Sequence, residues 1–412
     1  MQSADRATVP GSERHLDPDH RRVGDVEGAQ ELEVTVYVRS RASLDRVEEE
    51  ATRAPADRRV VSRDKWAREH GAHDHDLHAV VEFARRHGLE PTAVDAARRA
   101  VHLRGTVDAV TTAFEAGDLG LFEHPSGVRY RGREGSLTVP SELDGVVTGV
   151  FGIDNRPQAQ PRIRFAANAV TSYTPVEVAK AYGFPAGATG AGETVGIIEL
   201  GGGYQTADLT TYFQGLGLTP PKVTTVGVDG GTNSPGVDTN ADGEVMLDIE
   251  VIGSIAPGAA IVVYFAPNTD QGFIDAVSTA VHDATNKPSV VSISWGGPED
   301  SWTAQARTQM EQTLTAAGGL GATVTAAAGD GGSSDGVNDG RQHVDFPASA
   351  PHALACGGTS LRAANGQIAG ESVWNDSEGA TGGGVSIEFA QPSYQAQANV
   401  PVNVDTKGAG RG

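Results

Sequence analysis

The chain has 412 residues, a formal net charge of −21 and a pI of about 4.9. That acidity argues against nucleic acid as a partner and against a basic membrane anchor, and no apolar run reaches the length of a membrane span. A single cysteine, Cys356, excludes an intrachain disulfide framework.

Residues 1–30 are polar, carry no signal-peptide core and are expected to be disordered. From Glu31 to Ser40, Leu32, Val34, Val36 and Val38 alternate with other residues, which predicts a half-buried strand. Residues 42–52 read as a polar helix, and 75–88 as a second helix ending at Gly88. The Ala/Val-rich segment 94–104 is a candidate strand. Thr106 is placed to cap a short helix with Val107, Val110 and Phe114 on one face. Short strands near 128–131 and 136–139 and a helix near 141–150 complete a small α+β unit over residues 31–156. Most of the bases and most of the histidines precede residue 170, whereas acids dominate after it. A shift of this kind marks a domain boundary, and residues 157–170 read as an exposed linker rich in Pro, Gln, Arg, Ala and Asn.

Residues 171–412 have another rhythm. Continuous apolar runs at Val195–Leu200, Ala260–Ala266, Val290–Trp295 and Val324–Ala328 suit parallel strands buried on both faces. Helical stretches near 244–255, 270–283 and 303–317 fall between them, so the reading is a doubly wound α/β sheet. Sites in such sheets gather beyond the carboxyl ends of the strands, where Glu199, Trp295 and Asp330 stand. Within Asp242–Glu250, Glu244 and Asp248 are four residues apart and share one helical face. Two neighbouring carboxylates repel when both are ionised, so one keeps a proton above its usual range. The plain alternative is a solvated helix face. Against it stand Val245, Leu247 and Ile249 between the acids and Val251, Ile252, Ile255 and Ala256 after them, which predict a largely buried helix.

Other patterns carry less. Asp238-Thr239-Asn240-Ala241-Asp242-Gly243 mimics the start of a calcium loop, but Ile249 stands where the pattern wants Glu. Gly201-Gly202-Gly203 follows a strand without the spaced third glycine or a Walker-type lysine, and reads as a tight turn. His70, His73, His75 and His78 could gather zinc, although a solvated helix start accounts for them. They could also gain charge in acid and loosen the first domain from the acidic second one, an idea that unchanged affinity between about pH 7 and pH 4 would reject. Trp295 beside two glycines fits an exposed cleft wall.

Several long motifs in this order resemble the sedolisin family of serine-carboxyl peptidases, the kumamolisin branch above all. They are Ile197–Tyr204, Asp242–Glu250, Ser292–Trp302, Ala326–Asp330, His343–Ala348 and Val373–Asp376, preceded by Pro125-Ser126-Gly127 and Val150–Pro157. The resemblance implies a subtilisin-like doubly wound parallel sheet in a peptidase domain at 171–412, incomplete at its C-terminus, behind a small α+β propeptide domain. It implies Glu244 as general base, Asp248 as its partner, Glu199 as an extension of the acid network and Asp330 as the oxyanion-hole residue. Ser294, Trp295, Gly296 and Gly297 would line the substrate cleft. The family's nucleophilic serine and its calcium site both lie beyond the residues present, so no residue is assigned as nucleophile and no metal ligand is named. The Gly-Thr-Ser at Ser360 lacks the following proline and matches a structural strand motif of relatives.

The expectation is therefore an acid-acting serine-carboxyl endopeptidase precursor, inactive as these 412 residues. Detectable hydrolysis at about pH 4 that Ser360→Ala abolishes would overturn that. Protein or peptide substrates are its partners and its own propeptide its intramolecular inhibitor, with maturation cleavage near 157–170. Kinship implies an extracellular location. The competing readings are a non-catalytic peptide-binding or inhibitory protein built on the same fold, and a nucleotide-binding α/β enzyme, against which the failed phosphate motifs count.

Overall fold

The structure is a computed structural model that describes residues 5–16, 19–51, 53, 55–125, 127–163, 172–185 and 187–412. The linker beyond Ile163 and Ser126 of one propeptide motif lie outside the described residues. Contacts divide the chain into two compact units, the first made of residues 1–158, 268–284 and 302–321, the second of 159–267, 285–301 and 322–412.

The first unit is built on a four-stranded antiparallel sheet ordered Glu90–Asp95, Ala100–Thr106, Glu31–Val38, Val147–Phe151. Alternation places Leu32, Val34, Val36 and Val38 in a core shared with Leu77, Val80 and Phe83 of the helix Asp74–Arg86. Thr106 caps the helix Val107–Phe114 by accepting from the Ala109 N–H at 3.2 Å, as its position predicts.

Three expectations fail here. The amino-terminal residues are not disordered where described. Arg6–Thr8 pairs with Thr138–Pro140 and Arg21–Asp25 with Gly120–Glu123, because Val9 fills the core and the buried Arg14 donates to Asp270 at 2.7 Å. Polar composition concealed side chains whose partners are distant in sequence. The single strand expected at 94–104 is a hairpin turned at Arg99, which stands at φ +61°. The helix expected near 141–150 is one turn, Ser141–Leu143, and then the strand Val147–Phe151, where branched Val146, Val147 and Val150 pack better on the edge of Glu31–Val38. A helix at Arg63–His70, capped by Ser62, was not foreseen.

The second unit holds a six-stranded parallel sheet ordered Lys222–Gly227, Ala260–Phe265, Thr194–Glu199, Val290–Ile293, Thr323–Ala327, Leu354–Cys356. The four apolar runs form its middle. The edge strand Lys222–Gly227, with exposed threonines and half-buried valines, gave no such signal. Ile197, Ile261 and Val263 pack with Phe213, Val245 and Ile249 from the helices Thr206–Gly215 and Thr239–Ile255. Each such side chain contributes about 1.5–3 kcal/mol by leaving water. Leu247 and Val251 of the second helix are each 40% exposed, so the helix expected to be largely buried is buried along one face. Among the described residues no helix is long and apolar enough to cross a membrane.

Candidate active site

The strands Thr194–Glu199 and Val290–Ile293 are neighbours at the point where the winding of the sheet changes direction. Doubly wound sheets bind their ligands beyond the carboxyl ends of the strands at such a point, and Glu199, Ser294 and Trp295 stand there. The helix Thr239–Ile255 brings Glu244 and Asp248 to the same place. Asp238 fixes its start by accepting from the N–H groups of Asn240 at 2.9 Å and Ala241 at 3.2 Å. Gly202, at φ +65°, lets the loop after Glu199 rest on that start, since a Cβ there would lie 2.4 Å from the Ala241 carbonyl carbon.

The acids form a linked group. Ser294 Oγ donates to Asp248 at 2.9 Å, and Trp295 Nε1 donates to Glu199 Oε2 at 2.8 Å. Glu199 is wholly buried and Glu244 is 1% exposed. Glu199 Oε1 and Glu244 Oε2 have no hydrogen-bond partner, which suits carboxyl groups that hold protons. Burial, and then the charges of Asp248 and Asp330, push Glu244 up to about 9, while the Arg162 backbone N–H and Ser294 pull it back. Burial raises Asp248 to about 6 against the donation from Ser294. Burial followed by repulsion from Asp248 holds Glu199 well above the usual carboxylate range. Such a cluster carries fewer charges than carboxyl groups, so it can accept a proton and return it.

The strand Trp295–Pro298 runs beside this group. On one side it pairs antiparallel with Asp345–Phe346, and on the other with the linker segment Gln160–Pro161, Gln160 opposite Gly296 and Pro161 opposite Trp295. The Arg162 N–H continues the ladder by donating to the Ser294 carbonyl at 2.8 Å. Its buried guanidinium meets Asp335 at 3.0 Å and Asp345 more closely still. Gly296 is needed at this crossing, because a Cβ would lie 2.0 Å from Asp345 Oδ1. The described start of the linker is therefore only partly exposed: Pro157 and Gln160 face water, but Gln160–Pro161 is a paired strand and the Arg162 side chain is buried.

Of the residues expected from sequence, Glu199, Glu244, Asp248, Ser294 and Trp295 come together, and Asp330 is near enough to act on Glu244. Gly296 and Gly297 lie in the cleft strand. Trp295 is not an exposed wall; its ring is buried and its N–H is committed to Glu199. Ser360 is exposed on the hairpin strand Thr359–Ala364, opposite Ser372. Sequence reasoning missed the Ser294 hydroxyl, Arg162, Asp335 and the role of Asp345. The Ser292–Trp302 motif pointed to Ser294 as cleft lining and the His343–Ala348 motif to Asp345; no motif pointed to Arg162 or Asp335. The calcium-loop pattern at Asp238–Gly243 is a helix start, as its plain reading has it: Asp238 caps the helix and Asp242 Oδ2 accepts from the Gly236 N–H at 2.7 Å. Nor do the four histidines converge: His70 stacks on Trp66, His73 is the N-cap of Asp74–Arg86 and the His75 side chain is 90% exposed.

Comparison with known proteins agrees with this geometry. The family model for the pro-kumamolisin activation domain matches residues 18–156, and that for the subtilase family matches residues 227–400. Kumamolisin from Bacillus sp. (strain MN-32) is 47% identical over 99% of this chain and 77% of its own length. Sedolisin from Pseudomonas sp. (strain 101) is 30% identical over 78% of this chain and 59% of its own. The solved structure of Pseudomonas sedolisin, a serine-carboxyl proteinase complexed with two molecules of pseudo-iodotyrostatin, superposes with a TM-score of 0.51 at 31% identity. It covers 57% of this chain and 68% of that one.

Proposed function

This chain belongs to the sedolisin family of serine-carboxyl peptidases, as a precursor with a pro-kumamolisin activation domain and a subtilisin-like peptidase domain, and from that premise we propose an acid-acting, extracellular endopeptidase whose own linker lies in the cleft as a substrate would. The observation that carries the reading is the seating of residues 160–162. Their backbone extends the cleft strand, the Arg162 N–H donates to the Ser294 carbonyl, and the Arg162 side chain fills a pocket floored by two carboxylates. A peptide held as an added strand is fixed in register by main-chain bonds, and its side-chain pocket sets specificity.

Glu244 takes the proton from an attacking hydroxyl, and Asp248 shares that proton. Glu199 and Trp295 hold the arrangement from behind. Asp330 faces the developing oxyanion, to which an aspartic acid can donate only in its protonated form. Glu244, pushed up to about 9, can take that proton only in molecules where it is ionised, whereas a carboxyl group that donates must hold its proton. The pocket favours a basic residue before the scissile bond, and the first self-cleavage falls after Arg162. The polypeptide of residues 1–412, assayed alone, is expected to leave the linker intact, because the hydroxyl bonded to Asp248 is that of Ser294, the residue that precedes the cleft strand.

The test is to express the chain with the coding sequence that its gene carries and to incubate it at about pH 4. Mass spectrometry should find cleavage after Arg162, slowed about a thousandfold by Glu244→Gln. Cleavage that proceeds unchanged in that variant would refute the assignment of the base.

A further inference from the structure

Between Asp330 and Asp345 the chain leaves the sheet, makes the turn Gly332–Ser334, and returns to the short strand Asp345–Phe346. Both pocket carboxylates lie on this excursion. Asp335 stands at φ +45°, a left-handed conformation that a non-glycine residue keeps only when its surroundings impose it. Backbone bonds pin the return: the His343 N–H donates to Ser333 at 2.9 Å, and the Glu299 N–H donates to Val344 at 2.9 Å. The tip around Asp339 has no strand partner.

One side chain ties that tip down. His343, 7% exposed, points its two ring nitrogens at two carboxylates. Nδ1 is 2.9 Å from Asp300, on the turn that follows the cleft strand, and Nε2 is 3.1 Å from Asp339. A neutral imidazole donates from one nitrogen only, so contact with carboxylates on both sides requires the imidazolium. We infer that His343 is a positioning residue for the substrate pocket: protonated, it clamps the Asp330–Asp345 excursion between Asp300 and Asp339, and on losing its proton it releases the tip. The inference rests on the reading of Asp335 and Asp345 as the pocket for a basic side chain.

The neighbouring charges agree. Burial pulls His343 down, but the hydrogen bonds from Asp300 and Asp339 outweigh it and leave the ring above its ordinary value. The Arg341 N–H and then His343 hold Asp339 below the usual carboxylate range. His343 also favours the charged form of Asp335, whose main partner is Arg162. Asp405 accepts from the Gln342 N–H at 2.7 Å and so steadies the backbone next to the ring. The sign follows. The clamp's contribution is complete below the imidazole's unfolded value of about 6.5 and is lost as pH rises through its raised folded value. It is also lost in strong acid, when Asp339 takes up a proton. The pocket is thus held in the range where the acid chemistry operates and slackens above neutrality.

Hydrogen exchange read by mass spectrometry tests this on residues 1–412 without any need for turnover. After correction for the intrinsic pH dependence of exchange, peptides covering 331–346 should be protected about tenfold better at pH ~5.5 than at pH ~8.5. His343→Gln should remove that dependence while the strand Val290–Ile293 stays protected, and Asp339→Asn, a milder change, should weaken it in the same sense. A flat profile in the unsubstituted protein, or a His343→Gln profile that follows it, overturns the inference. Neither outcome depends on where the linker is cut, so failure of the cleavage reading would be recognised separately.

Discussion

Lowering the pH from about 7 to about 4.5 is expected to stabilise the second unit while it destabilises the first. In the second unit Glu199, Glu244 and Asp248 all have folded values above their unfolded ones. Their neutral forms are favoured by folding, so their contribution is full below the unfolded value and is lost as pH rises towards the folded one. For Glu244, raised to about 9, the interval from its ordinary value of 4.5 up to pH 7 corresponds to about 3.4 kcal/mol at 1.36 kcal/mol per unit. Asp248 acts in the same direction, but the acids share protons and their effects do not add. In the first unit the basic groups run the other way. Burial lowers His282 to about 4, and also lowers His102 and His70. Each must gain charge in a site that disfavours it, so stability declines as pH falls below about 6.5. Exchange protection in the strand Ala260–Phe265 should therefore rise towards acid while that in Glu31–Val38 falls, and Glu244→Gln should flatten only the first slope. Parallel slopes in the two units would contradict the assignment.

Replacing Arg162 by alanine should cost about 3–5 kcal/mol at neutral pH, the scale of removing one partner from a buried ion pair. Asp345 is 3% exposed and Asp335 8% exposed, and the Arg162 guanidinium is the cation that the structure sets between them. Burial already holds both carboxyl groups up despite that cation, so without it neither can stay charged cheaply. A drop of roughly 10 °C in the midpoint of the second unit is expected. The loss should shrink near pH 4, where the carboxyl groups accept protons, and Asp345→Asn should restore part of it in the double variant. Arg162→Lys should recover less than the full loss, since an ammonium cannot reach two carboxylates with the fork of a guanidinium. A midpoint unchanged by Arg162→Ala at pH ~7 would mean that the pocket does not hold the linker in solution.

The chain's motifs were informative where chemistry depends on local spacing. Glu244 and Asp248 were legible because one helical turn fixes their separation, and the helix could be recognised from the apolar residues among and after them; its cap, Asp238, was not. Glu199 and Trp295 were legible because a doubly wound sheet brings the ends of its apolar strands to one edge. The helix expected at 141–150 failed for the converse reason. Its valines favour a strand only where a neighbouring strand is present to receive them, and that neighbour, Glu31–Val38, is more than a hundred residues earlier.

By itself, then, the sequence determined the parallel sheet, the acid pair and the family, since each rests on periodicity or on motifs that survive without knowledge of distant neighbours. Tertiary structure alone decided that a polar amino-terminal segment is ordered, that Trp295 is turned inward onto Glu199, and that Arg162 is buried between Asp335 and Asp345. The physical reason is common to all three: whether a polar or charged group can leave water depends on the partner waiting for it, and each of these partners lies far away along the chain.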